Sequence, residues 1–166
     1  MGYEIRIRVG EACLRSPERK HSTTPQIEGE GENAYVWYPY LKDVEGEYIP
    51  TGRMEYSFLT AAVMDLCKCG DGPLDKLRAR CKNKNEKIVY KWCEGGNTQV
   101  SEDGYGDRYK PVSLSLVIKA LKEQIALEGK NPYRRFAWAL AMCEAIEKTQ
   151  ENHKGARQFT VLFEGY

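Results

Sequence analysis

Tyr3-Glu4-Ile5-Arg6-Ile7-Arg8-Val9 alternates strictly between apolar and polar side chains. A period of two is the signature of a half-buried strand: Tyr3, Ile5, Ile7 and Val9 face a core, while Glu4, Arg6 and Arg8 face water. The far end of the chain repeats the pattern, since Gln158-Phe-Thr-Val-Leu-Phe-Glu164 sets Phe159, Val161 and Phe163 on one side. A lone strand cannot satisfy its backbone, so the two ends are expected to pair in one sheet. The remaining elements are read outward from that pairing.

Between about 10 and 53 the pattern breaks down. Pro17, Pro25, Gly29, Gly31, Pro39, Gly46, Pro50 and Gly52 interrupt it too often for a long element. Only Ala34-Tyr-Val-Trp-Tyr-Pro-Tyr40 reads as a short strand, at an edge because of Pro39. From Arg53 the spacing of Phe58, Leu59, Ala62, Val63 and Leu66 predicts a helix ending at Gly70. Pro73 opens a short helix carrying Leu74, Leu77 and Cys81. Residues 87–93 read as a strand, and 97–110 as a loop. Ser113 caps a helix whose buried stripe is Leu114, Val117, Ile118, Leu121 and Ile125, with Val112 and Val117 as a hydrophobic staple and Gly129 at the end. Asn131-Pro132 begins a last helix with Tyr133, Phe136, Ala137, Leu140 and Cys143 inward, closed by Gly155. The expectation is an α+β fold: a small antiparallel sheet including both terminal strands, packed against three to four helices. With 166 residues, 1–166 is expected to form a single domain with a long irregular segment about 10–53.

Composition excludes several classes. Hydrophobic residues make up 42% and charged residues 30%, which is globular rather than disordered. No apolar run approaches the ~18 residues of a membrane span. The first residues lack a secretion pattern, and Arg6 stands where a myristoylation motif wants Ser or Thr, so the expected location is cytoplasmic. Net charge is +1 but unevenly spread. Residues 28–47 hold six carboxylates against Lys42, a net of −5. Residues 75–91 hold seven cations against Asp75 and Glu86, a net of +5. Such asymmetry suits two solvated faces, a polyanion site on the second stretch, or head-to-tail self-association.

Catalytic signals are thin. Walker loops, dinucleotide fingerprints and HExxH are all missing. The histidines are His21 and His153, and a Cys13–His21 nucleophile pair has little behind it. Cys67, Cys69, Cys81 and Cys93 follow C-x-C-x11-C-x11-C, which four thiolates around zinc would need the fold to close. The first pair lacks the two-residue gap of ordinary zinc knuckles. Cys81 and Cys143 lie on apolar stripes, where cysteine acts as a small hydrophobe. No cofactor is expected.

Binding is better supported. Tyr35, Trp37, Tyr38 and Tyr40 crowd one segment, and such rings offer rigid contact area with a polar edge. Arg15, Arg19, His21 and Thr23 supply nearby donors. Arg134 and Arg135 stand in a helix's first turn, where cations oppose the dipole. The basic stretch 76–91 ends at Tyr90 and Trp92, a mixture suited to nucleotides or single-stranded nucleic acid.

On Tyr3–Val9, on His21-Ser-Thr-Thr24 with Trp37, and on Phe136–Cys143 running on to Phe159–Tyr166, the chain resembles small phage-encoded accessory proteins. Some of those sequester a nucleotide signal or occlude a host protein. The resemblance therefore implies two anti-defence roles. The first reading is a non-enzymatic protein, expected as a homo-oligomer, that sequesters a small anionic ligand such as a signalling nucleotide. A protein–protein inhibitor of a host defence protein is the second, and a zinc-stabilised nucleic-acid module the third.

Overall fold

The computed structural model describes residues 4–14, 26–31, 34–37, 54–66, 72–82, 88–94, 99–150 and 158–165. The amino-terminal strand β1 (Ile5–Leu14) lies between β4 (Met54–Asp65) and β9 (Gln158–Gly165), antiparallel to both. The expected pairing of the two terminal strands is therefore present, with Ile7 opposite Phe163 and Val9 opposite Val161. The larger sheet continues through β6 (Ile88–Trp92) and β7 (Gln99–Val100) on one side and β8 (Lys110–Ser113) on the other, in the order β7-β6-β4-β1-β9-β8. A second sheet has the order β2-β3-β5, from β2 (Gln26–Glu28), β3 (Tyr35–Trp37) and β5 (Cys81–Lys82).

The α+β class stands, but the expectation of an antiparallel sheet needs correcting. β4 and β6 run parallel, as do β3 and β5. Parallel neighbours need a crossover rather than a tight hairpin, and α1 (Pro73–Arg80) lies between β4 and β6 in the chain.

The helix expected from Arg53 to Gly70 is instead the twelve-residue strand β4. Its apolar residues fall at odd and even positions, with Tyr56 and Phe58 in one core, Met64 against the other and Leu59 and Val63 exposed, and the mixture imitates helical spacing. The register slips between Val9 and Gly10: Val9 faces Ala62 while Gly10 faces Thr60, which leaves Ala61 as the extra residue of a bulge. Tyr56 and Phe58 therefore point to one face, and Met64 packs with the core on the other. Leu59 and Val63, expected inside, are exposed.

The helices otherwise follow the expected plan. Ser113 Oγ accepts from the Leu116 N–H and caps α2 (Leu114–Glu128), which buries Leu114, Val117, Ile118 and Leu121. Gly129 at φ 70° ends it, in the left-handed region where glycine carries no Cβ penalty. The last helix, α3 (Arg134–Gln150), starts two residues after Pro132, and its buried positions are Phe136, Ala139 and Cys143. Ala137 is exposed rather than inward, and Leu140 is half-buried. The expected closing residue Gly155 lies outside the described residues. Within 97–110, taken as a loop, β7 and the Glu102–Arg108 bridge are ordered.

Ile5, Ile7 and Val9 join Val161, Phe163 and the helices in one core, while Ala12, Tyr56, Phe58, Tyr90, Tyr109 and Leu162 form another. No helix among the described residues is long and apolar enough to cross a membrane.

A Cβ at Gly10 would meet the Leu59 carbonyl oxygen and stand 2.7 Å from Phe58 Cε1. Gly10→Ala should therefore cost about 2 kcal/mol of stability, read as a lowered urea midpoint with an unchanged slope.

Candidate functional site

Because β1 alternates, Arg6 and Arg8 lie opposite the face that carries Ile5, Ile7 and Val9. The register puts Arg6 directly across from Glu164 on β9 and from Asp65 on β4. Arg6 Nε donates to Glu164 Oε2 at 2.7 Å, and Arg8 Nε donates to Oε1 at 2.8 Å. Glu164 is only 1% exposed, and these two bonds from guanidinium groups supply its buried oxygens with donors. Arg8 Nη1 also donates to Thr60 Oγ1 at 3.2 Å and stands 3.6 Å from Glu94 Oε1. The Arg8 guanidinium carbon lies 4.4 Å from the centre of the Trp92 ring, within cation–π range.

Around that cation the rings form a continuous cluster. Trp92 meets Phe58 edge-on at 5.5 Å and Tyr109 edge-on at 5.7 Å, and stacks with Tyr90 at 6.2 Å. Burial raises the Tyr109 hydroxyl well above the ordinary phenol value, reinforced by the charge of Glu164 and a hydrogen bond to it. Burial alone raises Tyr56 in the same direction. Both phenols stay neutral through the physiological range. Glu94 is lowered on balance: burial acts upward, but bonds to Thr60 and the charge of Arg8 outweigh it.

The expectation that Arg6 and Arg8 simply face water is thus corrected, since the Arg8 side chain is only 15% exposed. Of Tyr90 and Trp92, read as a stacking surface for bases, Tyr90 is instead a fully buried core ring, while Trp92 is half-buried and packs against that core. The signal for this cluster was available: two arginines on one face of the first strand and Glu164 at the end of its partner.

Most of the other expected site residues cannot be placed. Arg15, Arg19, His21, Thr23, Tyr38 and Tyr40 lie outside the described residues, as do Cys67, Cys69 and His153. Arg135 Nη1 donates to the Asp65 carbonyl at 2.8 Å and so fixes α3 to the end of β4 rather than standing ready for a ligand. Arg134 is exposed, with its guanidinium 5.5 Å from the centre of the Trp138 ring. Cys81 is buried in the helix-side core beside α1, whereas Cys93 is exposed just after β6. Burial also pushes the Cys143 thiol up to about 12, making it an inert core residue. Gly104-Tyr-Gly106 is part of a turn stapled by Asp103, whose Oδ1 accepts from the Tyr105 and Asp107 N–H groups. Asp103 Oδ2 accepts from Gly165 N–H at 2.6 Å, which ties the turn to the end of β9.

Two sequence-distant segments do come together. Tyr35 and Trp37 are on β3, and β3 pairs in parallel with β5: Val36 lies opposite Cys81 and Trp37 opposite Lys82. Strand β5 directly continues α1, which carries Lys76, Arg78 and Arg80. The ring-bearing strand is hydrogen-bonded beside the middle of the basic stretch, where α1 ends.

The chain matches no family model, no curated protein and no solved structure.

Glu164→Ala would leave Arg6 and Arg8 without their shared acceptor, and should cost about 3 kcal/mol in urea unfolding. Glu94 has a folded pKa below its unfolded value, so its stabilisation is present above the ordinary carboxylate range and is lost as pH falls through the folded value. Glu94→Gln should accordingly be less stable than the parent at neutral pH, and the two melting curves should converge in acid.

Proposed function

We propose that this chain is a non-catalytic binding protein that sequesters a small anionic ligand with a planar ring, such as a signalling nucleotide. One observation carries the reading: the β3–β5 pairing sets Tyr35-Val36-Trp37 beside Cys81-Lys82 at the end of a basic helix. Rings supply stacking worth about 1–3 kcal/mol per base, and nearby cations supply charge-assisted contacts to phosphate. The cations in this reading are Lys76, Arg80 and Lys82, replacing Arg134 and Arg135, which are far along the chain on α3 and engaged with Trp138 and the Asp65 carbonyl. Sequestration needs no acid, base or nucleophile. In a phage or mobile element, such binding would deny a host defence its signal.

The test is a thermal-shift series against cyclic nucleotides, ADP-ribose-type nucleotides and a short single-stranded oligonucleotide. A melting temperature that climbs with ligand concentration supports the reading. Trp37→Ala and Lys82→Glu should each weaken that shift about tenfold or more in ligand concentration while leaving the unliganded melting temperature nearly unchanged. A response to the oligonucleotide alone would move the assignment to single-stranded nucleic acid. No response to any of them, in a folded protein, would overturn it.

A further inference from the structure

The outer side of α3 carries an unusual set of exposed residues. Arg134, Trp138, Ala141, Ala145 and Lys148 are all exposed and recur at intervals of four, three, four and three. That is the spacing of a seam between two packed helices. The side chains Phe136, Ala139 and Cys143 are buried on the opposite side, so the seam is not the one that holds α3 to its own core. Trp138 is 53% exposed, and its ring is accompanied by the Arg134 guanidinium.

We propose that this seam binds a second copy of the same chain, as an antiparallel α3–α3 pair about a two-fold axis passing between Trp138 and Ala141. The argument for self-recognition is that complementary features share one surface. Trp138 is a large projection, and Ala141 and Ala145, one and two turns on, leave hollows of the kind that receive one. With the axis in that place, each Trp138 meets the partner's Ala141 and each Arg134 lies beside the partner's Ala145.

Charge selects the same orientation. The cations Arg134 and Arg135 occupy the first turn, whereas Glu144 and Glu147 lie in the second half. Glu144 already pairs with Lys122 of α2 at 2.8 Å, and its side chain stays 40% exposed. Antiparallel pairing brings each Arg134 to the partner's Glu144 and near the negative end of the partner helix, offsetting the unfavourable place of two arginines at a helix start. A parallel pair would set Arg134 against Arg134. A two-fold contact of this kind is closed, so it stops at a dimer.

Sedimentation velocity of the full chain over a range of concentrations tests the proposal. A monomer–dimer equilibrium is expected, with Trp138→Glu raising its dissociation constant about 30-fold or more, because a central tryptophan is the typical anchor of an interface. Ala141→Arg fills the hollow and should have the same effect, so the result does not hang on one variant; both sites are exposed, and an unchanged melting temperature would show that each variant folds. A chain that stays monomeric at all concentrations overturns the inference. So does a dimer that both variants leave intact.

Discussion

The structure depends on one carboxylate. Glu164, in the last strand, accepts from Arg6 and Arg8 in the first, across 158 and 156 residues of chain. Bringing such distant segments together carries a loop-closure cost before any contact repays it. Hydrophobic pairs such as Ile7–Phe163 and Val9–Val161 provide the attraction, but they would tolerate a slip of two residues. The charges do not: one direction of slip sets Glu4 across from the buried Glu164, and either direction breaks the sharing in which Arg6 and Arg8 each donate to one Glu164 oxygen. The ion cluster therefore acts mainly on register. Its influence extends outward: Arg8, held by Glu164, lies over Trp92, and Trp92 packs against Phe58, Tyr90 and Tyr109.

How much of this was legible in the residues follows from what each element buries. The terminal strands alternate cleanly because one face of each is apolar, so both could be read and their pairing inferred. The helices α1 and α2 carry Pro73, Ser113 and Gly129 as punctuation, and their limits could be read almost to the residue. β4 could not. It carries apolar groups at Tyr56, Phe58, Leu59, Ala62, Val63 and Met64, although Leu59 and Val63 are exposed, and the bulge at Ala61 shifts the period of two midway along the strand. The sum has the spacing of a helix and, through Ala61-Ala62 and Met64, helical propensity as well. Tertiary surroundings decided the outcome.

The candidate site was legible only in parts. The ring-rich strand at Tyr35–Trp37 and the basic stretch beginning at Lys76 each stood out, but their adjacency depends on a parallel pairing of very short strands, β3 with β5, that no local pattern announces. Tyr90 and Trp92 looked equally suitable for stacking, but Tyr90 is core and Trp92 packs half-buried against it under Arg8. Residue type alone does not separate an aromatic that waits for a guest from one that fills a sheet face; neighbouring strands do. Arginines divide in the same way. Arg8 and Arg135 are committed to Glu164 and the Asp65 carbonyl, whereas Arg134 projects from the helix layer with Trp138.

The division of labour between the two faces bears on function. Helices cover one face of the large sheet, and rings with the ion cluster pack on the other, with Leu59 and Val63 of β4 left exposed. The recognition proposed above falls to the periphery, where elements end or lie alone. Two such places are chemically distinctive: the small β2-β3-β5 sheet beside α1, and the outward side of α3. They use different physics, ring and cation at the first, projection and hollow at the second. Neither needs the core to move, because both are built on elements whose other side is already anchored: Leu74 and Leu77 hold α1, and Phe136, Ala139 and Cys143 hold α3. A guest met at either place finds surfaces already in position, so little ordering cost is set against the contacts it makes.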